Sequence, residues 1–158
     1  MKTTWKAILI AACFALTSAG GFAQDVTYRK DIKPLFDAKC ASCHGAQSPL
    51  LGDFQQDQKK FASMMKGPRM DSYADLIMFV GWPDTGAIMR RLDDGKNAGG
   101  KPGNMYQFLG STDDERQKNL ATFKAWVGAD GWVLNRFKAR GKVPAITKEQ
   151  LEKIQVKY

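Results

Sequence analysis

Beyond Gln24 the apolar positions recur three and four residues apart, in short runs punctuated by glycine, proline and capping residues. No stretch alternates long enough for a strand, so the pattern predicts an all-α chain. Asp31-Ile32-Lys33-Pro34 reads as a helix start, because proline has no N–H to lose in the first turn. Ile32, Leu35 and Phe36 then give that helix an apolar face running into Cys40. A second helix is expected from Asp53, with Phe54, Phe61, Met64 and Met65 on its buried side and Gly67-Pro68 as its stop. Ser72 is placed to cap a third over Tyr73 to Val80, ending at Gly81-Trp82-Pro83. A short fourth carries Ile88, Met89 and Leu92 before Gly95.

From Gly95 to Gly110 the pattern turns irregular, with Gly99, Gly100, Pro102 and Gly103 between; such a loop lets its backbone lie close to something. Thr112 and Glu115 have capping-box spacing, and the helix they open buries Leu120, Phe123 and Val127, with Trp126 flanking, before Gly128. Residues 129–158 hold an apolar group (Trp132, Val133, Leu134, Phe137), a basic linker and a last helix capped by Thr147 with Gln150. This extension reads either as a tail wrapped on the domain or as a docking element.

The first residues follow a different logic. Lys2 and Lys6 precede an apolar run from Ala7 to Ala15, and small residues follow up to Gly21-Phe22-Ala23. That is the layout of a secretory signal over residues 1–23, too short for a stable membrane span. The expected organisation is a leader 1–23, a domain 24–128 and a C-terminal extension 129–158, with no transmembrane segment in the processed chain. Ile10-Ala11-Ala12-Cys13 also suggests a lipoprotein cleavage box, but the apolar run before Cys13 is very short and continues past it.

With 158 residues, 44% hydrophobic and 25% charged, the chain is of ordinary globular composition. Its formal charge of +8, part of it in the leader lysines, suits an acidic partner or an anionic membrane, or simply a solvated face. No arginine-rich run or nucleic-acid motif accompanies it.

The chemistry concentrates in Cys40-Ala41-Ser42-Cys43-His44. The C-x-x-C-H spacing lets two thiols reach the two vinyl groups of a haem and puts the next histidine under the iron. A zinc site needs a second ligand pair, which this chain lacks, and a thioredoxin-like motif needs a βαβ setting, also missing. His44 is the single histidine of the chain, so the far side of the iron is left to methionine, to another nitrogen donor or to nothing. Met64, Met65, Met78 and Met89 lie on expected helices and read as core. Met105, in the glycine-rich loop at Gly103-Asn104-Met105-Tyr106, is the leading candidate for distal ligand, with Met70 after Gly67-Pro68-Arg69 next.

CxxCH near the start of the processed chain, a methionine well downstream and a last helix with Phe123 and Trp126 together resemble a class I cytochrome c. The resemblance covers roughly residues 28–128. It implies an N-terminal helix crossing the C-terminal one, with Ile32, Leu35 and Phe36 against Leu120, Phe123 and Val127. It further implies one haem c on Cys40 and Cys43, His44 and Met105 as iron ligands, and Pro49 offering its carbonyl to His44. Trp82 is similar to the aromatic donor that meets a haem propionate, and Arg90 or Arg91 serves likewise. The function expected is a periplasmic or otherwise exported one-electron carrier between a redox protein donor and acceptor with acidic docking surfaces. The alternatives are a haem subunit of a larger oxidoreductase, and a haem enzyme or gas-binding protein with an open distal site.

Overall fold

The computed structural model describes residues 25–82, 84–133 and 144–158; the leader with Cys13, Pro83, Leu134 and Phe137 lie outside them. All regular elements among the described residues are helical. A wide five-residue turn, Tyr28–Ile32, opens on Thr27 and runs into α1 (Lys33–Lys39). Pro34 explains the geometry: it has no N–H, and its ring crowds the carbonyl four residues back. The preceding turn therefore widens, and Lys33 N–H bonds to the carbonyl of Tyr28, five residues away. One more turn, α2 (Ala41–His44), follows directly.

The expected second helix is two short ones. α3 (Leu51–Gln56) begins two residues before Asp53, and Asp57, with φ −147° and ψ 70°, breaks the run and caps α4 (Gln58–Ser63). Neither helix has a fully buried residue, and Phe54 and Phe61 lie half-buried against each other, 6.2 Å between ring centroids. Met64 and Met65, expected inside, are 57% and 71% exposed. The apolar spacing there is real, but among the described residues no second layer buries it.

α5 (Tyr73–Met78) starts at its Ser72 cap, Ser72 Oγ accepting from Asp75 N, and stops short of Val80. α6 (Ala87–Leu92) is buried on almost every side. A tight turn, Tyr106–Leu109, leads to α7 (Asp113–Val127), then come α8 (Ala129–Trp132) and α9 (Lys148–Leu151), the last closed by the Thr147–Gln150 capping box. The cap of α7 differs from the expected box by one residue. Thr112 Oγ1 accepts from Glu115 N, but the Glu115 carboxylate takes the N–H and hydroxyl of Ser111.

The core joins the two ends of the chain. The Tyr28–Ile32 turn lies against α7. Ile32, Phe36, Leu120, Phe123 and Val127 are buried, Leu35 is half-buried, and Trp126 is fully enclosed rather than flanking. Trp126 is enclosed because the chain after α9 returns over it. Gln155 N and Val156 N bond to the carbonyls of Val127 and Trp126, and Trp126 Nε1 donates to Lys157 O. Tyr28 and Arg29 donate their N–H groups to Lys157 O and Tyr158 O. The described part of the extension is thus wrapped onto the domain.

Candidate haem site

Cys40 ends α1, its N–H on Phe36 O at 2.8 Å, and starts the next turn, its carbonyl accepting from His44 N at 2.9 Å. That i, i+4 relation puts the Cys40 and His44 side chains on one side of the turn. Both cysteines are free and half-buried, available to add to vinyl groups. Burial, with Cys43 adding to it, pushes the Cys40 thiol up to about 11.

His44 is held from behind. Its Nδ1 lies 2.8 Å from Pro68 O. A carbonyl only accepts, so Nδ1 carries the proton and Nε2 keeps a free lone pair, the tautomer a metal ligand needs. Burial lowers the pKa of His44 and the nearby Arg91 charge lowers it further, while the Pro68 bond works the other way. The net shift is downward, which favours the neutral ring.

Gly67 completes the cradle. A Cβ at this position would lie 2.6 Å from His44 Nδ1 and 2.9 Å from Nε2, so no larger residue fits over the ring. Gly67 N bonds to Cys43 O and Met70 N to His44 O, both at 2.8 Å, so residues 67–70 run alongside the cysteine–histidine turn. The carbonyl expected of Pro49 therefore comes from Pro68. Pro49 O instead accepts from Arg69 N at 2.8 Å, because the chain between the two prolines folds out into α3 and α4 before returning to the histidine. Gly67 and Pro68 were legible only as a helix stop. The usable signal was a glycine–proline pair returning to the haem motif.

Met105 is half-buried against the core, and its loop is fastened to the end of α6. Met105 N donates to Arg91 O and Gly103 N to Asp93 O, both at 2.9 Å, and Arg91 Nη1 donates to Asn104 Oδ1 at 2.9 Å. A Cβ on Gly103 would collide with the carbonyls of Arg90 and Arg91, so glycine alone allows this approach. Asp93, wholly buried, organises the rest of the loop. Its carboxylate accepts from Gly95 N, Asn97 N, Asn97 Nδ2 and Trp132 Nε1.

The remaining candidates separate. Met89 is buried and Met78 half-buried, both within the core, and Met70 is half-buried beside His44. Trp82 stands 67% exposed. Arg90 is buried with its guanidinium engaged by Thr85 O and Asp84. Arg91 is exposed, and its charge is felt at His44. Two reduced thiols, a neutral histidine with Nε2 free and a glycine under the ring fit a covalently attached haem.

Residues 27–158 match the family model described as PccH Cytochrome c. No curated protein matches the chain. Among solved structures, the monohaem cytochrome PccH from Geobacter sulfurreducens is 54% identical, with a TM-score of 0.74 over 85% of this chain and 99% of that one. The family match takes in the C-terminal extension, in keeping with its packing on the domain. The chain belongs to the PccH cytochrome c family, and is a monohaem c-type cytochrome with one haem c attached through Cys40 and Cys43.

Proposed function

We propose that this electron-transfer protein is exported and shuttles single electrons between redox proteins, its iron held by His44 Nε2 on one side and Met105 Sδ on the other. The fastening of the Met105 loop to α6 carries the reading. Four residues in a row, Gly103 to Tyr106, are tied down, three of them to α6 or Asp93, and Arg91 links that loop electrostatically to His44. A methionine in so fixed a loop is presented, not merely packed. Met70 is the weaker candidate because its N–H is bound to His44 O and it follows the carbonyl that holds Nδ1. It belongs to the histidine side.

Bound haem supplies a one-electron couple at iron, and a thioether ligand favours the reduced state. If His44 and Met105 both held the iron, no position on it would remain for a substrate. His44 is the single histidine, so no second imidazole is present as a distal acid or base. The rigid seating of both ligands keeps rearrangement small when the charge changes.

The test is the spectrum of the purified holoprotein. The oxidised form should show the weak far-red sulfur-to-iron band, which Met105→Ala abolishes and Met70→Ala retains. Ready carbon monoxide binding by the reduced, untreated protein would refute closed ligation. For export, the protein recovered from the periplasmic fraction should have the mass of a chain beginning at Gln24. Recovery of uncleaved chain from the cytoplasm refutes that part.

A further inference from the structure

Between α4 and the His44 cradle the chain keeps apolar side chains at the surface at a conformational cost. α4 ends with Met65 N on Ala62 O at 3.0 Å and Lys66 N on Phe61 O at 2.9 Å. This pair of bonds closes a helix over one residue in left-handed backbone, the position glycine ordinarily takes. Here the residue is Met65, with φ 54°. The left-handed region is unfavourable for a residue with a Cβ. Burial does not compensate, since Met65 is 71% exposed and Met64 beside it 57%. Folding alone gives no reason for a methionine here. Strain of this kind collects at sites kept for a purpose.

The location supplies one. Lys66 Nζ donates to Ser42 O at 2.7 Å, and Ser42 lies exposed between the two haem-bearing cysteines. Gly67, the next residue, lies on the His44 ring. Gly67 and Pro68 both touch that ring, so the chain that carries Met64 and Met65 runs directly into the His44 cradle. Lys59 and Lys60 are exposed, and neither they nor Lys66 forms an ion pair among the described residues. Of the nearby acids, Asp57 is occupied in capping α4.

We propose that Met64 and Met65, rimmed by Lys59, Lys60 and Lys66, are the docking surface for a redox protein whose contact face is apolar at its centre and carboxylate-rich at its edge. The proposal rests on the carrier reading. Two thioethers adapt to an uneven apolar surface and release easily, as a shuttling protein requires. These ammonium charges, in no ion pair among the described residues, steer an acidic partner, and they repel a second copy of this chain. Contact there puts the partner beside the Ser42–Cys43 attachment turn.

The test uses the oxidised holoprotein and two reductants, a reduced flavodoxin as the acidic, protein-sized probe and free reduced riboflavin as the small neutral one. Met64→Ser with Met65→Gly should slow reduction by flavodoxin about tenfold and leave the riboflavin rate and the thermal midpoint unchanged or higher. Lys59→Glu with Lys60→Glu should remove most of the ionic-strength dependence of the flavodoxin rate. Unchanged flavodoxin rates in both variants overturn the docking surface while leaving the carrier intact. Equal slowing with both reductants also overturns it, since the effect would then lie at the haem. Parent protein that takes electrons from neither reductant overturns the carrier reading together with it. Anionic phosphatidylglycerol vesicles provide the lipid control. Loss of vesicle binding in the variants without loss of flavodoxin exchange would assign the patch to a membrane instead.

Discussion

At the residue scale, the site depends on what is left out as much as on what is present. Gly67 gives the clearest case. Gly67→Ala puts a methyl group within contact of His44 Nδ1, so the ring must shift and the Pro68 bond must lengthen. Overpacking of this kind costs about 1–3 kcal/mol, and we expect a lower thermal midpoint together with a disturbed haem spectrum. Equal midpoints and identical spectra would show that the cradle yields freely. His44, Cys40 and Cys43 were plain in the sequence because spacing alone defines their chemistry. Pro68 was hidden because the residues between it and His44 fold out and back, and proximity gained that way leaves no periodic trace. Glu115 offers a second residue-level test. Lys39 first, then the N–H and hydroxyl of Ser111, pull its carboxyl down from 4.5 to about 2. A folded-state pKa below the unfolded value stabilises the fold above the unfolded pKa, and the gain disappears as pH falls through the folded one. The midpoint gap between parent and Glu115→Gln should therefore be constant above about pH 5, narrow below 4.5 and close near 2. A gap that persists at pH 2 would assign it to something other than this charge.

At the element scale, the caps at Ser72, Thr112 and Thr147 were legible, and so were the uncapped α1 and α6, but the Asp57 cap that opens α4 as a separate helix was not. Ser72, Thr112 and Thr147 each mark a real start, since one side-chain oxygen satisfies an otherwise unpaired N–H. The run from Asp53 to Met65 misled because apolar spacing predicts a face but not a partner for it. The loop from Gly95 to Gly110 was recognisable by composition, yet its organiser was not, since a buried aspartate reads in sequence like any surface acid. Asp93 satisfies four donors, including Trp132 of α8, so it couples the extension to the loop that carries Met105. Asp93→Ala leaves Gly95 N and Trp132 Nε1 buried and unpaired, at about 1–3 kcal/mol for each. Two probes should then part company on heating. The far-red sulfur-to-iron band should vanish well before the helical circular dichroism, whereas in the parent the two fall together. Coincident loss in the variant would mean that Asp93 serves general stability only.

At the scale of the whole molecule, the extension decides whether the domain ends at Gly128 or at Tyr158. Its last residues close an aromatic cluster that neither terminus forms alone. Tyr158 stacks on Tyr28 at 5.8 Å and meets Tyr73 edge-on at 5.0 Å, and Tyr28 lies 6.3 Å from Trp126. Arg29 sits over the Tyr158 ring, Tyr73 Oη donates to Val156 O, and Lys157 pairs with Asp25. Such ring pairs contribute about 0.5–1.5 kcal/mol each beyond burial, and the enclosed hydrogen bonds about 1 kcal/mol each. Ordering the tail offsets part of this, because every residue fixed loses backbone entropy of about 1–2 kcal/mol. The balance still favours the wrapped state, since removing the tail exposes Trp126 and Tyr28, which are otherwise buried. A holoprotein ending at Glu152 should lose about 3 kcal/mol, read as a lower denaturant midpoint, with its haem spectrum at 25 °C unchanged. A pure docking element predicts the opposite pair, an unchanged midpoint and slower exchange with a protein reductant. The two readings of the extension therefore differ in which measurement moves.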